Sequence, residues 1–218
     1  MAYRTAIFDL DGTLLDTLAD LATATNIALA EHGLPARTTD EVRRFVGNGI
    51  RLLCERAVPQ GTDPQVTDAV FESFKRAYAR HERDETAPYP GIIDMLHALR
   101  AAGVKVAVVS NKADFAVQAL VGHFFGDVFD FALGEREGTP KKPDRAMVDI
   151  ILEELGETTE GLVYVGDSEV DLETAANCGC DCIICSWGFR ERELLLARGA
   201  TTIVDTADEL FAAICGGE

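Results

Sequence analysis

Short, almost unbroken apolar runs alternate with longer amphipathic segments through most of this chain, and that alternation limits the architectures open to it. Thr5 to Asp9 is the first such run; Val104 to Val109, Phe129 to Leu133, Leu162 to Val165, Cys182 to Cys185 and Thr202 to Val204 follow. Between them, apolar spacing predicts helices near 92–101, 114–123, 144–155, 170–178 and 207–215. In the segment 144–155, for example, Met147, Ile150, Ile151 and Leu155 fall on one side. Strands without polar alternation are covered on both faces, and strands that alternate with helices form a parallel sheet. The expected fold is α/β, a doubly wound parallel, Rossmann-like sheet.

Residues 16–86 break the pattern. They lack a clear strand, and Leu18, Leu21, Ala22, Thr25, Ala28 and Leu29 fall on one helical face that Gly33 and Pro35 end. Further helices are expected near 40–45, 50–57 and 66–83, with a turn at Pro59-Gln60-Gly61. The expected organisation is a core of residues 1–15 and 87–218, with an all-helical cap of residues 16–86 inserted after the first strand.

The chain has 218 residues, enough to bury a sizeable core without disulfides. Its net charge of −17 argues against a nucleic-acid partner, because phosphate backbones are held by Lys and Arg. An anionic small molecule would need local positive charge from a cation and a lysine. The N-terminal apolar run is too short for a signal peptide, and no run reaches a membrane span. The expectation is a cytoplasmic monomer or homodimer with no membrane partner. Of six cysteines, Cys178, Cys180, Cys182 and Cys185 crowd together. They run from a helix end into a strand, where alternation sends neighbours to opposite faces, so core or near-surface thiols are expected rather than a metal site.

Reactive groups gather where the strands end. Asp9 closes the first strand, Asp11 lies two residues on, and Gly12 frees the backbone to turn. Ser110-Asn111-Lys112 follows the second long strand, where a helix N-terminus and a hydroxyl would receive an anion. Lys141-Lys142-Pro143 precedes a helix; Lys142 is preferred because Pro143 restrains its backbone, with Lys141 the alternative. Gly166-Asp167 closes another strand, and Asp171 follows within one helical turn. Carboxylates of this kind suit a hard cation such as Mg²⁺, which takes oxygen ligands and keeps several waters. Asp9, Asp11 (through its backbone carbonyl) and Asp167 would be ligands, with Asp171 ligating or orienting a coordinated water. Each stretch also has an ordinary reading: an Asx turn, a helix cap, or a solvated basic pair.

Taken together, these residues resemble the motifs of the haloacid dehalogenase superfamily: Asp9-Leu10-Asp11-Gly12-Thr13, Ser110, Lys142, and Gly166-Asp167 with Asp171. Val46-Gly47-Asn48-Gly49, Ser110-Asn111-Lys112, Val165-Gly166-Asp167-Ser168 and Ser186-Trp187-Gly188 look most like the bacterial phosphoglycolate phosphatases within it. The resemblance implies a Mg²⁺-dependent phosphatase acting on a small anionic phosphate ester, with 2-phosphoglycolate the leading substrate. It implies Asp9 as nucleophile forming an aspartyl-phosphate, Asp11 as general acid and base, and Ser110, Asn111 and Lys142 on the phosphate. The helical cap would act as a lid whose Gly47-Asn48-Gly49 turn, through Asn48, touches the substrate, with the flanking Arg51 and Arg44 as candidates to meet its second anion. Asp11 speaks against dehalogenation. A phosphosugar mutase of the β-phosphoglucomutase type would share fold and motifs and is the alternative. Receiver domains are shorter, lack a helical insert and place their acidic pair before the phosphorylated Asp. Phosphonate hydrolases need a cap lysine, and Lys75 is the only lysine in the helical block.

Overall fold

The computed structural model describes residues 3–216; residues 1, 2, 217 and 218, at the ends of the expected core, lie outside the described residues. In chain order the elements are β1 (Thr5–Phe8), β2 (Leu15–Asp16), α1 (Leu18–Glu31), α2 (Thr39–Phe45), α3 (Ile50–Ala57), α4 (Pro64–His81) and β3 (Ala87–Pro88). Then come α5 (Ile92–Ala101), β4 (Lys105–Ala113), α6 (Asp114–Phe124), β5 (Phe131–Glu135), α7 (Ala146–Leu155), β6 (Leu162–Gly166) and α8 (Glu169–Cys178). β7 (Asp181–Cys185), α9 (Arg192–Ala197), β8 (Ile203–Val204) and α10 (Ala207–Cys215) complete the chain. The described residues up to Leu15 and from Pro88 onward form one compact unit, and Asp16–Ala87 form a second.

In the first unit, six strands make a sheet in the order β5-β4-β1-β6-β7-β8, with all five pairings parallel. Alternation along each strand sends successive side chains to opposite faces. Ala6, Phe8, Val106, Val108, Val163 and Val165 face one way, against apolar residues of α5, α6 and α10. Ile7, Ala107, Val109, Leu162 and Tyr164 face the other, against Met147, Val148, Ile151 and Leu152 of α7 and Ala175 and Cys178 of α8. Both faces are therefore dry, which is why these strands carry no polar alternation.

β1 lies between β4 and β6, and Phe8 is level with Val108 on one side and Val165 on the other. Chain order reverses about β1, and in open α/β sheets ligands gather beyond the strand ends at such a point. The carboxyl ends that carry Asp9, Ser110 and Asp167 are thus neighbours by register alone.

In the second unit, α1 and α4 pack along each other, burying Leu21, Ala28 and Leu29 with Val70, Phe74 and Tyr78. The rings of Phe74 and Tyr78 stack with centroids 5.6 Å apart. Buried Asp20 closes this unit: its carboxylate accepts Glu85 N–H at 3.0 Å and, at Oδ2, Thr86 N–H at 2.9 Å and Thr86 Oγ1 at 2.7 Å. Among the described residues, no helix is long and apolar enough to cross a membrane. The cysteines are all free thiols, with Cys178 and Cys185 buried and Cys180 and Cys182 half-buried.

Three details depart from the sequence expectation. β4 continues through Ser110, Asn111 and Lys112 to Ala113, so these residues do not begin a helix; α6 starts only at Asp114. Ser168 rather than Asp167 is the N-cap of α8, so the helix-cap reading of Asp167 does not hold. β5 sits two residues further along than its apolar run suggested.

Candidate active site

Asp9 leaves β1 with its N–H bonded to Val165 O at 2.9 Å, which fixes it against β6. The chain then turns at Gly12, whose φ of +86° favours glycine. A Cβ on Gly12 would lie 2.5 Å from Asp167 Oδ2. Gly188 approaches Asp167 from the other side, and a Cβ there would lie 2.2 Å from Asp167 Cβ and 2.6 Å from Gly12 O. Phe189 N–H donates to Asp167 Oδ2 at 2.6 Å. The Ser186-Trp187-Gly188 turn and the Gly12 turn therefore clasp one carboxylate between two backbones.

Asp171 sits at the third position of α8, fully buried, and its carboxylate is saturated with donors. Oδ2 accepts Ser168 Oγ at 2.7 Å, Ser168 N–H at 3.0 Å and Asp167 N–H at 3.2 Å. Oδ1 accepts Lys142 Nζ at 2.9 Å and Tyr164 OH at 3.2 Å. Gly166 makes this closeness feasible, since a Cβ there would overlap Asp171 Cγ at 2.2 Å.

Lys142 bridges the two strand ends: its Nζ lies 2.8 Å from Asp9 Oδ1 as well as 2.9 Å from Asp171 Oδ1. Asn111 Nδ2 donates to the Lys142 backbone carbonyl at 3.1 Å, so β4 holds the segment that delivers this lysine. Lys141 points elsewhere, 3.5 Å from Glu135 Oε1. Ser110 is buried, and its Oγ accepts Lys112 N–H at 3.2 Å.

Asp11 has a partner that sequence reading missed. Lys112 Nζ lies 2.7 Å from Asp11 Oδ1 and 3.0 Å from Oδ2, and the Lys112 side chain is 4 % exposed. The Asp11 side chain is not among the carboxylates that converge; those are Asp9, Asp167 and Asp171, with ligand atoms all within 4.8 Å of one another. Tyr164, from the middle of β6, is the other unforeseen member. Its β-strand setting reads as core, and only the hydroxyl reaching Asp171 distinguishes it.

Asn48 and Arg51 belong to the helical unit and make their contacts there. Asn48 Oδ1 accepts Arg56 Nη2 at 3.0 Å. Arg51 is paired with Glu55 at 2.8 Å and Asp68 at 2.6 Å, and its guanidinium lies over the Phe71 ring. Arg44 is exposed.

The electrostatics point to a cation. Burial lifts the Asp9 carboxyl to about 7; Lys142 opposes the rise, and Asp171 and Asp11 add to it. Burial, then Asp171 and Asp9, push Asp167 well above the ordinary carboxylate range, against Phe189 N–H and Arg190. Burial pulls the Lys142 pKa down, but Asp171 and Asp9 outweigh it and hold it above the usual lysine range. Four carboxylates face two ammonium groups, a deficit that one divalent cation would fill. Three converging carboxylates form a hard oxygen donor set, so the residues present fit such an ion.

The sequence profile of haloacid dehalogenase-like hydrolases matches residues 6–185. The phosphoglycolate phosphatase of Pseudomonas putida is 35% identical over 208 residues, 93% of this chain and 76% of that protein. A solved structure from Lactobacillus delbrueckii subsp. bulgaricus, provisionally described as a phosphoglycolate phosphatase, shares 40% identity with a TM-score of 0.95, covering 99% of this chain and 100% of its own. CbbY from Rhodobacter sphaeroides, solved in complex with phosphate, shares 27% identity with a TM-score of 0.75, covering 95% of this chain and 96% of its own. With its sheet order, its strand-end carboxylates and these likenesses taken together, the chain belongs to the haloacid dehalogenase-like hydrolase family.

Proposed function

We propose that this hydrolase cleaves a small phosphate monoester, 2-phosphoglycolate, with Mg²⁺ held by Asp9 and Asp167, the backbone carbonyl of Asp11, and Asp171 behind them. The observation that carries the reading is Lys142: one buried ammonium bonded to both Asp9 and Asp171 beside a converging carboxylate set. The phosphoglycolate phosphatase and phosphate-bound relatives support the substrate class.

A carboxylate approaching a phosphate dianion meets repulsion of about 8 kcal/mol at roughly 4 Å, for an effective dielectric near 20. Uncancelled, that is about a million-fold in rate. A divalent cation held by the converging carboxylates would supply the larger share of the compensating charge. Lys142 would supply the rest while bonded to Asp9 Oδ1 at 2.8 Å. Ser110, buried in the C-terminal half of β4, would donate to a phosphoryl oxygen.

In the first step an Asp9 oxygen bonds to phosphorus as the ester P–O bond breaks. The electron pair stays on the ester oxygen, which takes a proton from Asp11. In the second, water attacks the aspartyl-phosphate, returns a proton to Asp11 and releases inorganic phosphate with Asp9 regenerated. Asp171, saturated by five donors, acts on Lys142 and the backbone of Asp167 and Ser168 rather than on substrate.

The test is a panel of small phosphate esters with Mg²⁺, scored by free phosphate. Release from 2-phosphoglycolate at the highest kcat/KM, abolished in Asp9→Asn, is the expected result. Phosphate moved to a second position of a sugar, with none freed, would instead identify a mutase.

A further inference from the structure

Lys112 and its route into the site form a construction that the reaction above does not use. β4 and β5 pair in register through Val109 and Leu133, then lose it, and pairing resumes at Ala113 and Glu135. The irregular stretch carries Ser110, Asn111 and Lys112. Gly134 stands opposite, and a Cβ there would lie 2.6 Å from Lys112 O and 2.5 Å from Asp114 Cα. Asp114 then fastens the crossing by accepting Gly134 N–H at 2.8 Å. Three features, an interrupted ladder, a glycine and a buttressing carboxylate, converge on the backbone of one lysine. Interruptions of this kind often re-aim a side chain beside an active site.

The ammonium they deliver meets both oxygens of Asp11, at 2.7 and 3.0 Å. A two-oxygen contact fixes the plane of a carboxylate as well as its position. Lys142 serves Asp9 on the phosphate side, whereas Lys112 serves Asp11, the residue assigned above to the leaving-group side. The two lysines come from different strand-end segments, so the roles are separable.

We propose that Lys112 is a positioning residue for Asp11, holding its carboxyl where the ester oxygen departs and where water later attacks. The inference rests on the acid and base role given to Asp11. Its signature is dependence on the leaving group: an alkoxide needs the Asp11 proton, whereas p-nitrophenolate leaves without it.

The experiment compares Lys112→Met, Lys112→Gln and Asp11→Asn on the best alkyl phosphate of the panel and on p-nitrophenyl phosphate. Both Lys112 variants should lose about a hundredfold in kcat/KM on the alkyl ester, the lower range for general acid–base catalysis. On p-nitrophenyl phosphate, kcat/KM should stay within about threefold while kcat and KM fall together, because hydrolysis of the phosphoenzyme becomes limiting. Equal losses on both esters in both lysine variants, or no loss on either, overturn the inference. If Asp11→Asn itself shows no preference between leaving groups, the assignment of Asp11 fails instead. Collapse of kcat/KM on both esters in both lysine variants also overturns the inference, since Lys112 would then hold the whole site.

Discussion

Asp167 has almost no freedom. Backbone from Gly12 and Gly188 closes on it from two sides, and its Oδ2 is fixed by the Phe189 N–H. A ligand carboxylate held this way loses little on binding a cation, because its rotamer is already chosen. Gly188→Ala removes the clearance, since the new methyl would have to occupy space 2.2 Å from Asp167 Cβ. The half-saturating Mg²⁺ concentration for hydrolysis should rise by about 10- to 100-fold, with a smaller effect on rate at saturating metal. An unchanged Mg²⁺ titration would remove Asp167 from the cation site. Asp9, Asp167 and Asp171 could be singled out because they follow strands whose apolar runs are plain, and Lys142 because Pro143 adjoins it. Lys112 could not be. Its direction depends on β4 staying extended past Val109, and a helix begun at Ser110 would have carried it elsewhere. Arg51 shows the same limit in the helical unit: its pairing with Asp68, on another helix, is out of reach of any local pattern.

At the scale of elements, the parallel strands and the longer helices could be read from periodicity, but the shortest pieces could not. β2 and β3 have two residues each, too few to alternate, and α9 has six, less than two turns. The helical unit depends on a feature equally hidden from periodicity. Asp20 lies on the apolar face of α1, yet it is buried because the returning segment at Glu85 and Thr86 brings it donors. Asp20→Ala would leave those backbone N–H groups without their acceptor. The expected cost is about 3 kcal/mol, since bonds to a charged acceptor are the stronger kind and their orphaned donors are buried. Urea denaturation should show a lower midpoint with an unchanged slope. A shift below about 0.5 kcal/mol would mean that water replaces the carboxylate there.

For the whole molecule, the net charge of −17 and the clustered carboxylates make metal and pH act on the same quantity. In metal-free protein the Asp9 pKa stands at about 7 and that of Asp167 is raised in the same direction. The folded state therefore holds these protons more tightly than the unfolded chain, whose aspartates titrate near 4. The resulting stabilisation is whole below about pH 4 and is lost as pH rises through about 7. The Lys142 shift lies above its usual value and contributes evenly across this window. Chelated protein should melt at progressively lower temperature between pH 5 and pH 8 as far as these groups decide it. Mg²⁺ held as proposed would bind the deprotonated carboxylates of the folded state, so its stabilisation would grow over the same interval. The rise in Tm on adding saturating Mg²⁺ should accordingly be larger at pH 8 than at pH 5, and Asp167→Asn should shrink that difference. A Mg²⁺-induced shift that is the same at both pH values would show that the cation does not compete with protons at Asp9 and Asp167, and would place it elsewhere on this acidic surface.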